Sequence, residues 1–402
     1  MADIILTINA GSSSVKFSTQ QIAKGQLTLL ASGLIEGIGA KATFTAKKAD
    51  GAKTRFDLDQ THVPVDHNLA LTAVLDWLEK ELPGANVVGV GHRIVHGGPH
   101  YSKPMRVTKE NFKNLKALEP LAPLHQPFNL AGVEAAEQAF PKAVQVACFD
   151  TAFHRQHPFI ADTFALPRSY YEEGVRRYGF HGLSYEFIHR MLRYEEPVLA
   201  RGKVIVAHLG NGASLCAIDS GKSVASTMGF TALDGLPMGT RCGQLDPGVV
   251  LYLMAQKHMS AEQITDLLYK NSGLKGMSGI SNDIRDLEAS DEQSAKDAIA
   301  YFVARVRREI GGLSAVLGGI DCIVLTGGIG ENAVNVREAI LKDMEWFGVK
   351  LDEEANRRNE RIISDKGSAT VVLIMKTDEE RMIAAHTAEL LDLKEPIVPA
   401  LS

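Results

Sequence analysis

The 402-residue sequence has only four cysteines and no Cys-x-x-Cys pair, which excludes a disulfide framework and a cysteine-built zinc site. Cys148, Cys216 and Cys322 sit among apolar, strand-like residues, and with Cys242 they read as reduced cytosolic thiols. No long run of Lys or Arg occurs, and the net charge is −5 with an isoelectric point near 6.2. That balance gives no electrostatic support to nucleic acid or a membrane surface as a partner, so a small ligand is expected. Long apolar runs are missing as well. Asp3 stands where a signal peptide would be basic, and the first apolar run breaks at Asn9, so neither a signal peptide nor a transmembrane span is expected. These absences together predict a soluble, cytoplasmic protein.

What is present is an ordinary globular composition, 45% hydrophobic and 23% charged, with length for two or three domains. Within it one unit recurs. Val204-Ile205-Val206-Ala207, apolar enough for a buried strand, runs into His208-Leu209-Gly210-Asn211-Gly212-Ala213-Ser214, a turn of small residues with exposed backbone N–H groups. Ile4-Ile5-Leu6-Thr7-Ile8 feeds Asn9-Ala10-Gly11-Ser12-Ser13-Ser14 in the same way, and Ile323-Val324-Leu325-Thr326 feeds Gly327-Gly328-Ile329-Gly330-Glu331-Asn332. Turns of this kind wrap phosphate. A lone example reads more readily as a hairpin whose glycines supply positive φ. Recurrence at the front of both halves is what an internal duplication leaves, and it argues against ordinary hairpins. The expectation is one nucleotide held between two related halves.

Strands and helices alternate along the rest of the chain. A polar Lys- and Gly-rich region from Gly37 to Lys53 reads as hairpins, and Leu71, Val74, Leu75 and Leu78 have helical spacing. Val87 to Gly91 is a strand candidate leading into His92 and Arg93. A proline-punctuated loop, Leu121 to Pro127, enters a helix near Leu130 to Phe140, and Val144 to Phe149 is a strand with Asp150 at its C-terminal end. An acid at that end of a strand is well placed for chemistry. Asp246-Pro247 pairs an N-cap with proline at the first helical position. Ser260 with Gln263, and Ser290 with Gln293, have capping-box spacing, the second opening a long helix with Phe302, Val306, Ile310 and Leu313 on one face. A last helix runs from Glu379 through Leu391. The alternation implies an α/β fold of two lobes with a cleft between them.

Six blocks of residues now resemble one family, in its order and along essentially the whole chain. They are Asn9 to Lys16, Gly91-His92-Arg93-Ile94-Val95-His96-Gly97-Gly98, Phe149-Asp150-Thr151-Ala152-Phe153-His154, Arg177-Tyr178-Gly179-Phe180-His181-Gly182, His208 to Ser214, and Met238-Gly239-Thr240-Arg241. The chain resembles the acetate kinase, or acetokinase, family, within the larger group of sugar kinases, actin and chaperone ATPases. The resemblance implies a duplicated ribonuclease-H-like, actin-like ATPase fold with a central nucleotide cleft. It implies an N-terminal lobe at 1–150, with a C-terminal helix at about 385–402 packing back on it, and a nucleotide-binding, dimerising lobe at 151–384. The activity implied is reversible, direct in-line transfer of the ATP γ-phosphoryl to acetate, with Mg²⁺ (Mn²⁺ in its place), giving acetyl phosphate and ADP. The alternatives are a propionate or butyrate kinase of the same family and a non-kinase ATPase of the same fold.

Residue chemistry is consistent with that reaction. Arg93 and Arg241, flanked by glycines or small residues, offer bidentate forks to anions, where lysine would offer a point charge. His181, between Gly179 and Gly182, would donate to the transferring phosphoryl, and Asp150 would orient substrate and metal. By resemblance Asn9 and Glu379 hold the metal and Lys16 contacts phosphate. Glu379 lies in Thr377-Asp378-Glu379-Glu380-Arg381, where the family more often has Asn before and Leu after the two acids. The nucleotide contacts implied are His208, Leu209, Gly210, Asn211 and Gly212, then Asp283, Ile284 and Arg285, then Gly327, Gly328, Ile329, Gly330 and Glu331. Val95, Leu124, Phe180 and Ala232 would wall the acyl pocket, and position 232 departs from the family's usual Pro. The apolar face of the helix after Ser290, together with the family's habit, predicts a homodimer through the second lobe.

Overall fold

The computed structural model describes residues 2–11, 13–23, 26–58, 65–123 and 125–392. The chain divides into two compact units, Met1–Phe153 with Asp378–Ser402, and His154–Thr377. The last helix therefore lies whole in the first unit from Asp378 onward, earlier than the return expected at about 385, and residues 393–402 of that expected segment lie outside the described residues.

The first unit is built on β1 (Asp3–Ala10), β2 (Ser14–Ala23), β3 (Gln26–Glu36), β4 (Thr43–Lys48), β5 (Lys53–Asp57), β6 (Asn86–Ile94), β7 (Met105–Arg106) and β8 (Val144–Phe149). They form one sheet in the order β5-β4-β3-β2-β1-β6-β8-β7. β1 through β5 pair antiparallel in sequence, while β1, β6 and β8 run parallel. Both faces are covered. Val90 packs with Ala70, Val74 and Ala136, which come from the helices His67–Glu81 and Gln126–Ala139. Its neighbour Gly91 points the other way, where a Cβ would collide with Thr387 and Ile383 of the helix Glu379–Leu390. Gly89 faces the same helix, with Thr387 and Leu391 2.9 Å from where its Cβ would lie. Two glycines in β6 thus let the final helix lie against the strand, and that contact sets where Glu379 sits.

The second unit contains β9 (Lys203–Leu209), β10 (Ala213–Asp219), β11 (Lys222–Ser226), β12 (Cys322–Thr326) and β13 (Val371–Ile374), ordered β11-β10-β9-β12-β13. β11-β10-β9 are antiparallel and β9-β12-β13 parallel. Strands β3-β2-β1-β6-β8 of the first unit have this same order and sense, so the duplication lies in the topology as well as in the turns. The turns themselves need correction. Because β1 pairs β2 and β9 pairs β10 antiparallel, the Asn9–Ser14 and Gly210–Gly212 segments are tips of hairpins, which the sequence had argued against. Only the third, after β12, leads into a helix, Gly327–Asn332.

Asp246 caps Pro247–Ala255, and Ser260 with Gln263 closes both bonds of a capping box at Ala261–Lys270. The Ser290 box does not form. Ser290 Oγ accepts from the Glu292 amide at 3.2 Å, and the long helix starts later, at Gln293, with Glu292 as N-cap. Its apolar face, including Phe302, Val306, Ile310 and Leu313, is buried within its own unit, so it is not spare surface for a dimer.

Candidate active site

Parallel pairing aligns the C-terminal ends of β1, β6 and β8, and each end carries a polar side chain: Asn9 and Arg93, each next to last in its strand, and Asp150, one residue past β8. The Asp150 amide donates to the Ile94 carbonyl at 3.1 Å, which carries the ladder one step past Phe149 and holds the acid two residues beyond Cys148, the partner of Arg93. Asp150 is 1% exposed and accepts twice from one guanidinium, from Arg93 Nε at 2.9 Å and Nη2 at 2.6 Å. Arg93 Nη1 points elsewhere, 3.5 Å from Asn9 Oδ1 and 3.7 Å from Glu379 Oε2. Burial weakens the Arg93 charge, but Asp150 and Glu379 outweigh it and push its pKa up.

Glu379 is the first residue of the helix whose N-cap is Asp378. Burial pushes its carboxyl up to about 7; Arg93 opposes the shift, and Asp150 and Glu380 add to it. Next to it, Glu380 Oε2 accepts from Lys16 Nζ at 2.8 Å. Asp150, Asp378, Glu379 and Glu380 thus stand against Arg93, Lys16 and Arg381, a surplus of negative charge in oxygen ligands that suits a hard divalent cation. Among the described residues no three His, Cys, Asp or Glu side chains converge as a ready cage. Mg²⁺ seldom needs one, since it keeps waters and takes one or two carboxylates plus substrate phosphate.

The second unit carries the other group of candidates. His181 precedes the helix Gly182–Glu195 in a left-handed conformation, φ 57°, and its ring stacks on His208 with centroids 4.4 Å apart. His181 Nδ1 lies 2.8 Å from Ser214 Oγ. His208 Nδ1 lies 2.8 Å from Ser184 Oγ. Arg241 Nη1 donates to the Ala232 carbonyl at 3.1 Å, and Gly273, at φ 61°, leaves room for the backbone of Met238 and Arg241.

A cavity of about 670 Å³ in this unit is lined by Gly210, Asn211, Asp283, Ile284, Arg285, Gly328 and Ile329. Three of the expected segments, far apart in sequence, therefore meet at one void of the size small-molecule sites occupy. Asn332, the last residue of the glycine turn, lines it too, as do Asn282 and Glu288; no motif marked these two, and only the neighbourhood of Asp283 could have. Asp283 accepts from its own helix's Arg285 amide and from the Arg285 side chain, which hold its carboxyl down at about 2. Gly327 and Glu331 are not cavity walls. At φ 77° Gly327 packs its α-carbon against the Leu209 carbonyl, where a Cβ would stand 2.7 Å away, and Glu331 Oε1 accepts from the Gly327 and Thr377 amides. They shape the turn from behind. Gly330 does likewise against Leu325.

Of the acyl-pocket residues, Val95 is buried in the first unit and its amide donates to Asn129 Oδ1 at 2.9 Å, while Asn129 Nδ2 donates to the Ala10 carbonyl at 2.6 Å. Asn129 thereby ties the ends of β1 and β6 together, a part the sequence did not reveal. Phe180 and Ala232 belong to the second unit. Leu124 and Ser12 lie outside the described residues.

The profile of the Acetokinase family matches residues 4–385. "Acetate kinase" of Methylocella silvestris is 58% identical over 400 residues, covering 98% of this chain and 99% of that one. "Acetate kinase" of Nitrobacter hamburgensis is 49% identical over 97% of this chain and 96% of its own. The crystal structure of Porphyromonas gingivalis acetate kinase superposes with a TM-score of 0.87 at 36% identity, covering 97% of this chain and 100% of that one. A propionate kinase from Francisella tularensis gives 0.88, also at 36%, over 96% and 99%. With the profile and the relatives spanning nearly its full length, the chain belongs to the acetokinase family.

Proposed function

We propose that this chain catalyses reversible transfer of the γ-phosphoryl of ATP to acetate, giving acetyl phosphate and ADP by direct in-line displacement. The observation that carries the reading is the Arg93–Asp150 pair: a guanidinium fixed by two charge-assisted hydrogen bonds, with Nη1 left turned toward Asn9 and Glu379. Phosphoryl transfer asks little covalent chemistry of the protein and much positioning of charge, and a guanidinium locked by a buried acid is pre-positioned. In this reading Arg93 and Arg241 hold the reacting anions, His181 donates to the transferring phosphoryl, and the cavity beside Asn211 and Asp283 receives the nucleotide. Asn9 and Glu379, with Asp150 near them, would hold Mg²⁺. When bound, Mg²⁺ neutralises phosphate charge. Lys16, steadied by Glu380, adds a point charge for phosphate.

Acetate offers only a methyl group for recognition, so the acyl site must be small. Val95 is the bulky choice that suits acetate, while Ala232 leaves one wall thinner than proline would. Between the two solved structures, the propionate kinase is as similar to this chain as the acetate kinase, each at 36% identity, which favours propionate as a real second substrate. An added methylene is worth ~1–3 kcal/mol in such a pocket. An ATP-dependent hydroxamate assay over formate, acetate, propionate and butyrate should therefore rank acetate first and propionate second, with Ala232→Pro widening the gap. Propionate equal to or above acetate in kcat/KM would transfer the reading to a propionate kinase; no acyl phosphate from any acid would leave only an ATPase.

The proposal includes a cytoplasmic homodimer. No helix among the described residues is long and apolar enough to cross a membrane, and Cys216 and Cys322 are buried thiols. For the dimer, the helix Pro247–Ala255 is the better surface than the one the sequence suggested: it buries no residue, and Leu251 is 65% and Met254 49% exposed. Light scattering at micromolar concentration should give twice the 43.6 kDa chain mass, and Leu251→Glu should shift it toward the monomer. A wild-type mass of 43.6 kDa would refute the dimer.

A further inference from the structure

We propose that Ser214 and Tyr185 are positioning residues that fix the ring proton of His181 on Nε2; this rests on His181 acting as the donor to the transferring phosphoryl. Ser214 is the second residue of β10, and its side chain is fully buried. Its hydroxyl lies between two partners, Tyr185 Oη at 2.5 Å and His181 Nδ1 at 2.8 Å. A serine hydroxyl has one proton to give. A phenol is a stronger acid than an alkanol, so in the short contact Tyr185 donates to Ser214, and Ser214 spends its own proton on Nδ1. Nδ1 then accepts, and the imidazole carries its hydrogen on Nε2.

The rest of the site turns that nitrogen toward the glycine loop. A Cβ on Gly212 would lie 3.2 Å from His181 Nε2, so the absent side chain is what opens the approach there. Stacking on His208, with the rings 24° apart, fixes the ring plane. His208 is itself tethered through Ser184 Oγ to Thr377 Oγ1, each contact 2.8 Å. The left-handed backbone of His181, at φ 57°, is a conformation non-glycine residues rarely hold. Backbone, stack and relay together leave the ring one orientation and one tautomer. The opposite tautomer would present a lone pair to a phosphoryl oxygen and repel it.

The test is ¹⁵N NMR of the histidine rings at pH 8, with His181 assigned by its loss in His181→Gln, alongside steady-state kinetics of Ser214→Ala, Ser214→Thr and Tyr185→Phe. The wild type should show an unprotonated Nδ1 and a protonated Nε2 at His181. Ser214→Ala should move both shifts toward the tautomer average and lower kcat about tenfold with KM for ATP and acetate little changed, the size expected for losing one buried orienting hydrogen bond. Ser214→Thr, which keeps the hydroxyl, should restore both, and Tyr185→Phe should fall between. A merely structural role would alter Tm without moving the ring shifts. A wild-type ring protonated on Nδ1, or a folded Ser214→Ala with unchanged shifts and kcat, overturns the inference while leaving His181 in place. Normal turnover in His181→Gln would instead overturn the reading beneath it. If Ser214→Ala fails to fold, the wild-type spectrum and Tyr185→Phe decide.

Discussion

Arg93→Ala and Arg241→Ala should each lower kcat by about a hundredfold or more, because a pre-positioned charge facing a developing anion is typically worth ~3 kcal/mol or above. The two variants differ in what else they disturb. Removing Arg93 leaves Asp150, 1% exposed, without the guanidinium that satisfies both its oxygens. An uncompensated buried carboxylate costs about 3–5 kcal/mol of stability, so the melting temperature should fall together with the rate. Arg93→Lys separates the effects: it keeps one positive charge beside Asp150 and much of the stability, yet loses the bidentate fork, so its kcat should stay far below wild type. Arg241 instead donates to the Ala232 carbonyl and the Met238 sulfur, both neutral acceptors. Arg241→Ala should lose turnover while the protein stays folded. Near-normal kcat in a folded Arg241→Ala protein would sink the proposed roles of both arginines.

What the sequence revealed and what it concealed divide along a physical line. Segments whose chemistry is contiguous were legible: a buried strand running into a small-residue turn identifies itself at Val204–Ser214, and Asp246-Pro247 carries its own helix start. The duplication was legible because both halves keep such a turn at the head of the same strand order. The sense of the turns was not, since whether a glycine loop leads into a hairpin or a helix depends on what the next segment pairs with. Ser290 and Gln293 have the spacing of a capping box, but the serine hydroxyl bonds the nearer Glu292 amide, and a local competitor of that kind leaves spacing unchanged. Asn129, Asn282 and Glu288 were invisible because they join the sites only through tertiary contact. Position 331 shows the converse: a motif can mark the right turn while its acid faces inward, onto the Gly327 and Thr377 amides.

Glu379→Gln should have two opposite effects, nearly abolishing activity while making the metal-free protein more stable at alkaline pH. The carboxyl of Glu379 is pushed up from an ordinary 4.5 to about 7, chiefly by burial, with Asp150 and Glu380 adding to the shift against Arg93. A raised acid binds its proton more tightly folded than unfolded. Below 4.5 both states are protonated and the group contributes nothing to the pH dependence; between 4.5 and 7 only the unfolded state is ionised, so stability falls as pH rises; above 7 the full penalty remains. Glutamine carries no charge at any of these values. The variant should thus melt with the wild type near pH 4.5 and above it by about 2–4 °C or more at pH 8. Added Mg²⁺ with ADP should reverse the order, raising the melting temperature of the wild type by mass action and leaving the variant almost unmoved. At subsaturating Mg²⁺ the variant's kcat/KM should drop roughly a hundredfold or more, since a metal ligand and its charge are lost together. In this reading the stability gain and the activity loss have one origin, a buried carboxyl whose ionised form only a bound cation would compensate. A Glu379→Gln protein that is less stable than wild type at pH 8, or that still gains stability from Mg²⁺ with ADP as the wild type does, would remove Glu379 from the metal site.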